Sequence, residues 1–153
     1  MVVDNFMPKP EEHLADILSG EFYDIPVGTQ LFKGIQPRDN DEFGALLLSL
    51  YPGCQVAYNF VRISPEGQQE PNFIHSDEMM GDITAILYLT KNHPEEDGTT
   101  LYDENHEPIL ITNAKFNRLF VFDSNIPHSR NIFNNYGSGD DSRIVQVAFL
   151  KII

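Results

Sequence analysis

His75 and Asp77 stand two residues apart in NFIHSDEMMGD. In extended backbone, positions i and i+2 project from one face, so a single metal ion could meet both an imidazole nitrogen and a carboxylate oxygen. An H-x-D triplet alone is weak evidence, because it arises by chance in a chain with this many His and Asp residues. His128 strengthens it, since it follows the apolar run Arg118 to Phe122 and a turn, where several intervening strands could return the chain beside His75. Two neutral imidazoles and one carboxylate on one side of a metal leave the opposite positions open to a chelating small molecule and to a further reactant. A closed zinc site fits poorly: the lone Cys54 excludes a thiolate cluster, and no fourth ligand is evident.

Arg143 is the second element. It begins the last apolar run, SRIVQVAFLKII, and strand alternation puts it on one face with Val145, Val147 and Phe149. An inward arginine needs an anion, and its planar fork matches a carboxylate better than a lysine would. That anion is either a bound carboxylate or a protein one, Asp123 or Asp141.

The elements that must position these groups are legible around them. Val2 and Val3 read as a short strand. Pro10, Glu11 and Glu12 open a helix with the stripe Leu14, Ile17 and Leu18, stopped at Gly20. Asp39 with Glu42 announces a second helix carrying Phe43, Leu46, Leu47 and Leu50, ended by Pro52-Gly53. From Gln55 onward the pattern becomes eight short β-type runs, QVAYNFVRIS, NFIH, ITAILYLT, TTLY, PILIT, RLFVF, HSRNIF and RIVQVAFLKII, separated by Gly, Pro, Asn and Asp turns. Helices first and then regularly spaced strands predict a mainly β, two-sheet jelly roll with two N-terminal helices packed on one sheet.

A chain of 153 residues with 41% hydrophobic content suits one domain, with the strand and helices over 1–53 and the β core over 54–153. The net charge of −13, without any basic run, argues against a nucleic-acid partner. No apolar run is long enough to span a membrane and no basic-then-apolar leader opens the chain, so the expectation is a soluble cytoplasmic protein. His13, His93 and His106 read as solvated bystanders, and Tyr58, Asn59, Arg62, Arg130 and Asn131 as pocket candidates that strand-surface polarity would explain equally well. The acidic residues of the loops, Asp97 among them, read as solvated rim.

The order HSD, ILYL, GTTLY, NRLFVFDSNIPHS and SRIVQVAFL resembles the 2-oxoglutarate and iron(II)-dependent dioxygenases, in particular their prolyl-hydroxylase-like branch, over about residues 54 to 151. The resemblance implies a double-stranded β-helix of the cupin-like kind. It further implies iron(II) held by His75, Asp77 and His128, 2-oxoglutarate anchored through its far carboxylate by Arg143, and Tyr88 touching the cosubstrate. The implied reaction consumes oxygen and hydroxylates a C–H bond of a peptide, amino acid or small metabolite, releasing succinate and carbon dioxide. The chain departs from the pattern in three places. Arg62 to Gly67 lacks the aromatic that many relatives carry there, Gly98-Thr99-Thr100 replaces a frequent double glycine, and a loop over 134–142 lengthens the interval from His128 to Arg143. Two other readings remain at this level: a cupin-like metalloprotein of another reaction class, and a non-catalytic β-barrel interaction module.

Overall fold

The computed structural model describes residues 1–153. The chain runs through β1 (Val2–Val3), α1 (Pro10–Ser19), β2 (Tyr23–Val27), β3 (Gln30–Pro37), α2 (Glu42–Leu50), β4 (Cys54–Ser64), β5 (Ile83–Tyr88), β6 (Gly98–Tyr102), β7 (Pro108–Asn113), β8 (Arg118–Asp123), β9 (His128–Arg130) and β10 (Arg143–Ile152). The strands form two antiparallel sheets, a seven-stranded one in the order β1-β8-β5-β10-β4-β3-β2 and a three-stranded one in the order β7-β6-β9. This is the mainly β, jelly-roll type of architecture expected from the strand spacing.

Alternation along the central strand β10 divides the molecule into two layers of packing. Ile144, Ala148 and Leu150 point to one side, where they meet Leu14 and Ile17 of α1, Phe43 and Leu47 of α2, and Val61, Leu87, Leu119 and Val121 of neighbouring strands. Each such buried aliphatic or aromatic side chain contributes about 1.5–3 kcal/mol, so this layer fixes the two helices against the large sheet. Val145 points the other way, toward the small sheet, and packs with Tyr88, Leu101, Ala114, Phe120 and Phe122, with Val147 alongside. Arg143 shares that inner face by alternation, across from Ser64.

Three departures from expectation have local causes. The hairpin β2–β3 was not foreseen. Pro26 inside β2 argues against a strand, yet β2 is the outermost strand of its sheet, where a missing N–H costs no ladder bond. Its two-residue turn uses Gly28 at φ 61, as turns of this length demand. The cap of α2 is Asp41 rather than Asp39: the Asp41 side chain accepts from Gly44 N. NFIH is not a regular strand; only His75 pairs, through an isolated bridge to His128.

Gly98 is a further constraint, because its φ is +145 and a Cβ there would lie 1.9 Å from Thr112 O. Only glycine lets β6 start this close to β7.

Candidate metal centre and arginine pocket

The bridge between His75 and His128 is the element that assembles the first site. His75 N donates to His128 O at 3.0 Å and His128 N donates to His75 O at 2.8 Å. Directly opposed residues of an antiparallel pair project to the same side, so the two rings meet with centroids 4.4 Å apart. Asp77 is held two residues on by Asp77 N donating to Ser124 O at 2.8 Å. One ligand atom from each of His75, Asp77 and His128 lies within 4.8 Å of the others.

The tautomers suit a cation. Nδ1 of His75 lies 2.9 Å from Phe73 O, and Nδ1 of His128 lies 2.9 Å from Ile126 O. A carbonyl can only accept, so each Nδ1 carries a proton and each Nε2 is the atom turned to Asp77, at 3.4 Å for His75 and 2.9 Å for His128. Burial works against ionisation of Asp77, but hydrogen bonds from His128 and His75 outweigh it and bring the carboxyl down to about 2. The bond to Asp77 raises His75 in turn, against partial desolvation. His128 is covered by the edge of Phe122 at 4.8 Å, while the side chain of His75 is 41% exposed, so the cluster has one dry wall and one open side.

The second site lies between the sheets. Arg143 is buried, and its Nε is 3.4 Å from Asp97 Oδ1. The protein carboxylate that meets it is therefore Asp97, not Asp123 or Asp141. Asp97, expected on a solvated rim, is instead fully buried: it accepts from Gly98 N at 2.8 Å and from Tyr136 OH at 2.6 Å. Arg62 Nε sits 2.6 Å from the buried Glu70. Arg130 donates to Asn135 Oδ1 at 2.7 Å, and Asn135 holds Glu70 through its amide nitrogen. Burial, reinforced by the like charge of Arg143, depresses the Arg130 guanidinium to about 10. Burial also lowers Arg62, against the attraction of Glu70. Burial would raise Glu70, but the charge of Arg62 carries it below the usual carboxylate range.

Tyr88 is buried, with its hydroxyl 2.7 Å from Thr99 Oγ1 across the two sheets, and burial pushes it up to about 12. Of the pocket candidates, Arg62 and Arg130 join Arg143. Asn59 does not: it faces the helices and donates to Asp41 at 2.9 Å. Asn131 accepts from Thr100 at 2.6 Å. It lines a cleft of about 520 Å³ beside the small sheet, together with Tyr102, Phe133, Arg130 and the two residues that precede His75, Phe73 and Ile74. His13 is no bystander: it is buried, with Nε2 donating to Gln146 Oε1 at 2.7 Å. His93 is half-buried with Nδ1 on Pro94 O, and His106 is exposed. Glu70, Asp97, Asn135 and Tyr136 were missed, because polar residues in Pro- and Gly-containing loops carry no periodicity from which inward orientation can be read.

Comparison with known proteins gives fold-level likeness. No protein-family model and no curated protein matches the chain. Among solved structures, a prolyl hydroxylase from Trichoplax adhaerens, in complex with a hypoxia-inducible factor oxygen degradation domain peptide fragment, aligns with TM-score 0.67 at 14% identity, covering 99% of this chain and 83% of that one. The non-heme alpha-ketoglutarate-dependent epimerase SnoN from nogalamycin biosynthesis aligns with TM-score 0.65 at 14% identity, covering 97% of this chain and 75% of that one. The chain thus has the fold of 2-oxoglutarate-dependent non-heme iron oxygenases. No helix is long and apolar enough to cross a membrane.

Proposed function

We propose that this protein is a 2-oxoglutarate-dependent iron(II) oxygenase that hydroxylates a C–H bond of a peptide, amino acid or small metabolite, on a double-stranded β-helix. The observation that carries the reading is the convergence of His75, Asp77 and His128 with both Nδ1 atoms clamped by backbone carbonyls. Strand order supports the β-helix: β4, β5, β8 and β10 lie in the large sheet, while β6, β7, β9 and the bridge at His75 lie in the small one. Successive segments thus alternate between facing sheets for most of the core.

Iron(II) and 2-oxoglutarate, when bound, supply oxygen activation and oxidation of the substrate C–H bond, with release of succinate and carbon dioxide. The residues contribute the rest. His75, Asp77 and His128 offer three ligand atoms from one side and leave the other free. Asp77 offsets part of the metal charge. Phe122 shields His128 from water, and Arg143 offers its fork to the far carboxylate of the cosubstrate. Tyr88, locked to Thr99, is proposed to contact the cosubstrate beside Arg143. The two structural neighbours are an epimerase and a hydroxylase, so inversion of a C–H centre is the alternative outcome on the same scaffold.

One observation favours a metalloprotein of another class: Asp97 already meets Arg143. The contact is long and involves only Nε, leaving the terminal nitrogens of Arg143 without a protein partner, and we therefore favour the oxygenase. The test is anaerobic titration of the iron(II)-loaded protein with 2-oxoglutarate, watching for the weak visible charge-transfer band of the chelate. The band should appear in the wild type and vanish in His75→Ala. Arg143→Ala should weaken 2-oxoglutarate by orders of magnitude and leave metal binding intact. Absence of the band in the wild type would refute the assignment and return the interaction-module reading.

A further inference from the structure

We propose that Arg130 is a second cosubstrate-binding arginine, sharing the far carboxylate of 2-oxoglutarate with Arg143 from the opposite sheet and setting selectivity for a dicarboxylate. This rests on the oxygenase reading above.

Charge balance motivates it. Three guanidiniums, those of Arg62, Arg130 and Arg143, face two buried carboxylates, Glu70 and Asp97. One positive charge is left over among side chains of which Arg143 is buried and Arg62 and Arg130 are half-buried, which is costly unless an anion completes it. The carboxylates have little left to give. Asp97 accepts from Gly98 N, Tyr136 OH and Arg143 Nε. Glu70 meets Arg62 and accepts from Asn135 and Gln68. The donors, by contrast, are in surplus. Arg130 makes one hydrogen bond, to Asn135, and its Nε is fully buried with no acceptor. Arg143 makes one, through Nε.

Position and orientation agree with the charge. Arg130 lies two residues beyond His128 on β9 and opposite Thr99 of β6. It therefore shares the face of the metal-facing histidine and lies about 7 Å further along the strand, comparable to the span of a five-carbon dicarboxylate. Thr99 is the residue that holds Tyr88, so Arg130 stands over the Tyr88–Arg143 corner of the large sheet. Asn135 fixes one of its terminal nitrogens, aiming the fork rather than leaving it to swing. A second guanidinium from the facing sheet adds donors for the carboxylate lone pairs that the fork of Arg143 leaves free.

The probe is a pair of ligands, 2-oxoglutarate and 2-oxobutyrate, which share the chelating end and differ in the far carboxylate. Binding is read by calorimetry on the manganese(II)-loaded protein under anaerobic conditions. Wild type should prefer 2-oxoglutarate strongly. Arg130→Gln should weaken 2-oxoglutarate about 10- to 100-fold, the range of a lost charge-assisted hydrogen bond, and leave 2-oxobutyrate within about twofold. Arg130→Lys, which keeps the charge without the fork, should fall between them and serves if the Gln variant does not fold. Unchanged 2-oxoglutarate affinity in a folded Arg130→Gln would overturn the proposal and spare the oxygenase reading, as would an equal loss for both ligands, the mark of a purely structural role. Failure of wild type to bind either ligand would remove the oxygenase reading itself.

Discussion

Replacing Asp97 by Asn keeps the shape of the side chain and an acceptor for Gly98 N but removes one of the two negative charges facing the three arginines. The side chains of Arg143 and Asp97 are 6% and 2% exposed, so water cannot compensate. Removing one partner of a buried ion pair costs about 3–5 kcal/mol, and the pocket would then hold two uncompensated positive charges. For a chain of this length that corresponds to a fall in melting temperature of roughly 10 °C. Urea denaturation of wild type, Asp97→Asn, Arg143→Gln and the double variant measures it. The cycle should show strong coupling, because removing Arg143 as well restores the original surplus of one charge, and the double variant should be more stable than Asp97→Asn alone. A single Asp97→Asn variant within about 0.5 kcal/mol of wild type, or strictly additive singles, would refute the charge accounting on which the arginine pocket rests.

Asp41 is the counterpart on the helix side. It caps α2 through Gly44 N at 3.0 Å and accepts from Asn59, Gln146 and Arg38. Asp41→Ala should cost about 2–4 kcal/mol, from a lost cap and stranded buried amides, read by chemical denaturation. Burial works to raise the Asp41 carboxyl, yet these bonds hold it below the usual range. A folded-state value below the unfolded one means that its stabilisation is complete above the ordinary carboxylate range near about 4 and is lost as pH falls through the lower folded value. Asp41→Asn should accordingly flatten the acid limb of the stability–pH curve. Manganese(II) should raise the melting temperature of wild type in a concentration-dependent way that EDTA reverses, and both His75→Ala and His128→Ala should abolish that response.

The strands from Gln55 onward were legible because they are written in short-range periodicity, whereas the meeting of His75 and His128 depends on a bridge between distant segments. The runs from Gln55 onward alternate, and His75 and Asp77 share a face by their spacing. Arg143 could be oriented by counting inward from Val145 and Val147. The β2–β3 hairpin was hidden by Pro26, whose tolerance depends on β2 being an edge, a property of the assembled sheet and not of the segment. The burial of Asp97 and Glu70 depends on where their loops fold back, and that is set by partners such as Asn135 and Tyr136 contributed from another loop. His13 sits one step before the apolar stripe of α1, so helical phase alone left it at the boundary; what draws it in is Gln146, a polar residue on the helix-facing side of β10.

Main-chain oxygens at Phe73 and Ile126, two residues ahead of each histidine, orient the two rings. The side chains at those positions take no part in the clamp. Phe73, 57% exposed and 5.2 Å from the His75 ring, can therefore be exchanged for a smaller or more polar residue without disturbing how the imidazole is aimed. In the proposed oxygenase the aim of the His75 ring and the surroundings of the cluster's open side would thus be separately editable, and variation at position 73 would offer a route to altered substrate preference with the imidazole still clamped.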